Sequence, residues 1–266
     1  MKKLSCFMLA VVMVLCLLTG CSESSADIYV TQELAENELF LSLVDIYNAM
    51  EQTELKVEAI SEPDLISKIK NDEYVSAFFM MSDAMEEALS DEEVTINEIF
   101  YDPVYLIGPK EDNIGLGQLA EYPAEDLLKH IILTNNVFVH ATELTSLRKK
   151  EAQFWEQSGI VPKTDLYIEA APGTDGIMKT CAELGGYAVI ERYVYEAYKD
   201  DYPSLTMLQD QCRGLVDRFC MVVHGTDTES TAAHFVDWMM SNAGQEEVFR
   251  YGLEEYGVSR YLPSVH

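Results

Sequence analysis

Few residues of this chain have the types and spacing that chemistry needs, and the clearest is a thiol near its start. Cys21 follows Leu18-Thr19-Gly20, behind Lys2-Lys3 and an apolar run from Leu4 to Leu18. This pattern resembles a lipobox: a basic start, an apolar stretch too short to span a bilayer comfortably, and a small-residue cleavage site. In such signals the thiol is acylated and the chain is cut just before it. Residues 1–20 therefore read as a lipoprotein signal peptide, and 21–26 as a lipidated Cys21 with a small polar spacer. The folded part is expected on the extracytoplasmic face of a cell membrane, held there by lipid alone. An uncleaved anchor or a plain secretory signal are the alternatives, and both also put the fold outside the cytoplasm.

The other candidates are hydroxyls, amides and guanidinium groups at strand ends and helix starts. Thr31-Gln32 close the first predicted strand, Thr142, Thr145 and Ser146 precede a helix, Gly173-Thr174-Asp175-Gly176 open another, and Arg192 follows a strand. Free amides at a helix start hold anions or polar groups, although the same Thr or Asp can be an ordinary cap. Arg192 can equally pair with Glu191 or Glu169. His140 has no partner that would make it a ligand, and Tyr29 and Tyr101 could stack a planar solute or simply pack.

None of these is an enzyme signature. GxSxG, P-loop and HExxH patterns are all missing, and acidic pairs such as Glu86-Glu87 and Asp200-Asp201 read as solvated faces. Cys181, Cys212 and Cys220 remain after the signal, an odd number without CxxC or Cys/His spacing. Buried free thiols are expected, with a Cys212–Cys220 pair as the alternative. No catalytic residue, metal or cofactor is expected.

The elements that must position these groups alternate. Short β-rich runs at 28–31, 55–60 and 75–81 are separated by helical periods at 37–52, from Glu62, and at 83–90. Such β-α alternation predicts a mostly parallel, helix-covered sheet whose ligands sit beyond the carboxyl ends of the strands. Residues 93–112 lack a helical period and end at Gly108-Pro109, as an extended passage between two lobes. A second set follows: helix 116–133, strand 137–140, helix 145–158, strand 165–170, helix 173–184 and strand 187–191. Extended segments at 205–209 and 216–224 and a long helix over 229–251 close the chain.

Charge limits the partners. The formal net charge is −28, and removing residues 1–20, with two Lys and no acid, takes it to −30. That excludes nucleic acid and a fold lying on anionic lipid. The partner is neither of these.

Several blocks carry a family resemblance. YLIGPKEDN (105–113), FVHATELTSLRKKEAQFWEQSGI (138–160), YIEAAPGTDGIMKTCAELGGYAVIERYVY (167–195) and the closing run 235–265 resemble the tungstate group of extracellular substrate-binding lipoproteins of ABC importers. The resemblance implies an α/β, two-lobed periplasmic-binding-protein-like fold of type II, each lobe a sheet flanked by helices. It implies lobe one at 27–104 plus 210–266 and lobe two at 105–209, with an ABC permease and its ATPase as partners and a small polar solute or oxyanion as ligand. A sensor or scaffold lipoprotein with a decayed pocket is the alternative function.

In that group a Thr-Thr-Thr-Ser run follows the first strand, where this chain has Val30-Thr31-Gln32-Glu33. The second motif, approximately S-R-G-D-D-S-G-T-H, aligns with His140 to Arg148, which puts Ala141 at the arginine and Arg148 at the histidine. A charge-assisted hydrogen bond contributes roughly 1.5–3 kcal/mol. A Glu33 or Glu143 carboxylate about 5 Å from a divalent anion costs roughly 6 kcal/mol at an effective dielectric near 20. Tungstate and molybdate are therefore expected to bind weakly or not at all. The expected ligand contacts are Thr31, Gln32, Thr142, Thr145, Ser146, Gly173, Thr174, Asp175, Gly176 and Arg192.

Overall fold

The computed structural model describes residues 26–71, 75–90, 94–119, 122–142, 145–210, 212, 214–224 and 229–264. The signal, Cys21 and Glu143 lie outside the described residues. The first lobe begins with β1 (Ile28–Thr31), α1 (Gln32–Ala35), α2 (Glu38–Glu51), β2 (Val57–Ile60), α3 (Glu62–Asn71), β3 (Val75–Met80), α4 (Asp83–Leu89) and β4 (Ile96–Asp102). The chain then passes into β5 (Val104–Pro109), a 3-10 turn at Leu116–Gln118, α5 (Ala124–Leu133), β6 (Phe138–His140), α6 (Ser146–Ser158) and β7 (Tyr167–Glu169). Next come α7 (Gly176–Leu184), β8 (Ala188–Glu191), α8 (Arg192–Tyr198) and β9 (Leu205–Gln209). It returns through β10 (Asp217–His224), α9 (Thr231–Met240), α10 (Asn242–Arg250), α11 (Leu253–Tyr256) and β11 (Leu262–Pro263).

One six-stranded sheet, ordered β11-β4-β10-β3-β1-β2, carries the first lobe. Its β3 is almost wholly apolar because helices cover both sides: Phe78 enters the cluster of Phe40, Leu43, Tyr47 and Phe235, while Phe79 enters that of Leu65, Ile69 and Met85. The second lobe has a three-stranded sheet, β8-β5-β9, and a two-stranded one, β6-β7, linked by a bridge from Phe138 to Tyr187. Its cores gather Leu106, Leu128, Phe138, Trp155 and Tyr187 on one side and Ile107, Met178, Cys181 and Ile190 on the other.

The pairing corrects the expectation of a mostly parallel sheet. β1 runs parallel to β2 and β3, and β6 to β7, as βαβ crossovers require. The returning β10 is antiparallel to both β3 and β4, and β5 is antiparallel to β8 and β9. A strand coming back from another lobe has no crossover helix to turn it round.

Two helix boundaries also differ. The helix expected over 116–133 starts only at Ala124, because Pro123, which has no N–H to donate, sits in extended backbone as its N-cap. The helix expected over 229–251 breaks at Ser241, which is extended and whose hydroxyl accepts from Gly244 N at 3.4 Å. The short α1, α8 and α11 have no counterpart in the sequence reading. Cys181, Cys212 and Cys220 are free and buried, with Cys212 and Cys220 in different cores. Among the described residues no helix is long and apolar enough to cross a membrane.

The chain crosses between the sheets where it contains Pro103, since a residue without N–H cannot extend the β4 ladder into β5. It comes back between Gln209 and Asp217. At these crossings Asp102 and Asp217 stand opposite each other in the β4–β10 register, and Val104 stands opposite Glu191 in the β5–β8 register. Three carboxylates are thus gathered where the lobes meet.

Candidate functional site

Between the lobes lies a cleft of about 1840 Å³. The first lobe lines it with Glu33, Met80, Ser82, Tyr101, Asp102, Asp217 and Arg260, and the second with Thr145, Ser146, Lys150, Phe154, Glu191 and Tyr193. A smaller cavity of about 400 Å³ is sunk into the second lobe, lined by Thr142, Thr145, Arg148, Glu151, Gly173, Thr174, Glu191 and Tyr193. Thr145, Leu147, Glu191 and Tyr193 line both, so the small cavity adjoins the cleft along a shared wall.

The structure brings together Thr142, Thr145, Gly173 and Thr174 around the smaller cavity, and Thr145 with Ser146 at the cleft. Thr142 Oγ1 donates to Ala170 O at 3.0 Å. Thr145 caps α6 by accepting from Arg148 N at 3.2 Å. Gly173 sits at φ +110, a backbone conformation that L side chains rarely adopt.

The remaining expected residues line neither of these two cavities. Gln32 is exposed on α1, while Thr31 is buried and its hydroxyl has no hydrogen-bond partner. Asp175 accepts from Tyr202 OH at 2.5 Å, and Gly176 packs so closely that an added Cβ would lie 1.8 Å from Ala171 O. Arg192 turns its Nη1 to Ser259 O at 3.2 Å, which ties α8 to the C-terminal segment.

Of the charged groups on this wall, the sequence named Arg148, at the family's histidine position, and Glu191, but gave no sign of Glu151. Glu151 is almost wholly buried, and its Oε1 accepts from both Trp155 Nε1 and Tyr167 OH at 2.5 Å. Its Oε2 faces Arg148 Nη1 at 3.5 Å, and the guanidinium lies 5.6 Å from the centre of the Tyr167 ring. Burial, and then the bond to Glu151, push the Tyr167 hydroxyl upward from its usual pKa. Beyond this ion pair Arg148 Nη1 is shielded from solvent and makes no hydrogen bond.

At the lobe junction, burial raises Asp102 well above the ordinary carboxylate range, and the neighbouring Glu191 and Asp217 raise it further. Glu191 is raised as well, again chiefly by burial. Lys150 answers part of this charge: its Nζ lies 2.6 Å from Asp217 Oδ1 and donates to Val216 O at 2.9 Å, tying α6 to the returning strand. Arg260 lies over the Tyr193 and Tyr261 rings at 5.3 Å each. Asp102 Oδ1 and Arg260 Nε are both shielded and make no hydrogen bond. Pro103 and the change of sheet were the one local sign that residues near 102 matter; no local pattern marked Arg260, which arrives from the far end of the chain. Among the described residues no His, Cys, Asp and Glu cluster could hold a metal ion.

No family model matches the chain. It is 24% identical to the tungstate-binding protein TupA of Peptoclostridium acidaminophilum, over an alignment covering 99% of each protein. Among solved structures it is similar to the tungstate-binding protein TupA from Desulfovibrio alaskensis G20, with TM-score 0.57 and 22% identity, covering 90% of this chain and 98% of that one. A LysR substrate-binding domain of a putative periplasmic protein from Wolinella succinogenes gives TM-score 0.62 at 18% identity, covering 83% of this chain and 97% of that one. The chain thus resembles tungstate-type substrate-binding proteins over nearly its whole length, and its fold is the α/β, two-lobed periplasmic-binding-protein-like fold.

Proposed function

We propose that this protein is an extracytoplasmic solute-binding lipoprotein that captures a small solute between its lobes and delivers it to an ABC permease with its ATPase. The observation that carries this reading is the interlobe cleft, in a chain similar along its length to a tungstate-binding protein. Its task is binding and closure: a solute touching both lobes stabilises the closed shape over the open one, and the closed shape is what a permease distinguishes. The lobes are residues 27–104 with 210–266, and residues 105–209. Thr142, Thr145, Ser146, Gly173 and Thr174 are the proposed contacts from the second lobe, with Thr31 and Gln32 from the first. Asp175, Gly176 and Arg192 frame the site. Lipidation of Cys21 holds the protein at the membrane.

The test uses the full-length protein in detergent micelles, with thermal shift against oxyanions, amino acids and amines, followed by small-angle scattering. At least one solute is expected to raise Tm and reduce the radius of gyration. Thr145→Ala is expected to weaken that solute by about tenfold, the equivalent of about 1.4 kcal/mol. Cys21→Ala should leave an unprocessed precursor or release the protein from membranes. A screen in which no solute moves either Tm or the radius of gyration removes the proposal.

A further inference from the structure

The junction of the two cavities presents charged groups of both signs that lack hydrogen bonds. On the second-lobe side, Arg148 Nη1 is shielded without a hydrogen bond and has only a long 3.5 Å ion pair with Glu151 Oε2, while Glu151 Oε1 accepts from Trp155 and Tyr167. A guanidinium buried in that state is completed by an anionic oxygen. Arg148 sits in the first turn of α6, so the positive end of a 13-residue helix and the Thr145 hydroxyl face the same small cavity.

On the other side of the shared wall the balance reverses. Asp102 Oδ1 is shielded without a hydrogen bond, and Glu191 stands beside it. Arg260 and Lys150 are the nearby cations, but Lys150 is committed to Asp217 and Arg260 lies over tyrosine rings. Across the whole cleft, carboxylates outnumber basic side chains eleven to four among the described residues. A free dianion seated at Arg148 would also face Glu191, which lines the same cavity. A molecule carrying its own positive charge on that side turns this repulsion into attraction.

We propose that the ligand is a small zwitterion of the amino-acid kind, its carboxylate on the Arg148 guanidinium and its protonated amine against Asp102 and Glu191. This rests on the solute-binding reading above and replaces a simple oxyanion with a dipolar solute. Tyr193, which lines both cavities, would lie along the ligand between its two charged ends. The two charges also give closure its driving force, since Asp102 belongs to the first lobe and Arg148 to the second.

The experiment is calorimetry and small-angle scattering on the full-length protein in detergent, with the standard L-amino acids, 1,4-diaminobutane, sodium tungstate and sodium molybdate as probes. At least one amino acid is expected to bind and close the lobes. Its methyl ester and its N-acetyl derivative, each lacking one charge, should both bind at least about tenfold more weakly. Arg148→Gln should cancel the difference between acid and ester, and Asp102→Asn should weaken the amine-bearing forms alone. The ester and acetyl comparison stands on the unaltered protein should either variant fail to fold. Closure by tungstate or molybdate with no binding of any amino acid sinks this inference and leaves the solute-binding reading intact. Binding of the ester as tight as the acid sinks it too. Absence of closure with every probe removes both.

Discussion

At the level of single residues, the site is held together by groups that cost stability. Asp102 is a buried carboxylate beside Glu191 and Asp217, and its pKa is raised well above the usual range. A raised acid favours the folded state only when protonated: that contribution is complete below the unfolded pKa of about 4 and is lost as pH rises through the folded value. Asp102→Asn is therefore expected to melt at a higher temperature than the parent near neutral pH, with the gap closing as pH falls toward about 4. Melting curves across that range check it, and a gap that is absent at neutral pH or that widens on acidification contradicts it. Retaining an ionisable group at such a cost is what a charged ligand would require.

Whole elements depend on a few backbone constraints. Gly176 opens α7 where an added Cβ would lie 1.8 Å from Ala171 O, in a loop whose Ala171 N also donates to Thr180 Oγ1 at 2.9 Å. Gly176→Ala should destabilise by about 1–3 kcal/mol, the usual cost of overpacking, and lower Tm by about 2–4 °C per kcal/mol. Asn37 caps α2 by accepting from Phe40 N at 2.9 Å and reaches Tyr261 OH at 3.1 Å, so it joins the start of α2 to the residue just before β11. Asn37→Ala is expected to cost about 0.5–2 kcal/mol by chemical denaturation. A cost near zero would mean that water replaces both bonds without loss.

The molecule as a whole turns on ties that cross from one lobe to the other. Lys150 from α6 reaches Asp217 and Val216 at the return crossing, and Arg192 reaches Ser259. Lys150→Met removes an ammonium that neutralises the junction carboxylates, and the apolar end of Met cannot replace its bond to a carbonyl. The ligand-free protein should then be more open, with a larger radius of gyration and weaker ligand-induced closure. Small-angle scattering of the variant beside the parent, each with and without ligand, measures both, and an unchanged radius would show that Arg192 and the strand crossings hold the lobes by themselves.

The α/β alternation and most strand positions could be read from the chain because each depends on neighbours only a few residues away. The β3 run of apolar residues, the Thr145 cap of α6 and the extended 96–109 segment are of this kind. Strand direction was not legible: β10 comes back from the second lobe, so its antiparallel pairing with β3 and β4 depends on a path of over a hundred residues. The site divided in the same way. Thr142, Thr145, Gly173 and Thr174 sit at element ends that local pattern marks, and they line one cavity. The charges that set its electrostatics come from 102, 148, 191, 217 and 260, positions that share no local pattern. Periodicity and caps act through hydrogen bonds within a turn or a strand, so sequence alone determined the elements and their ends. Burial and the gathering of Asp102, Asp217 and Glu191 arise only when distant segments exclude water together, and those the tertiary structure alone decided.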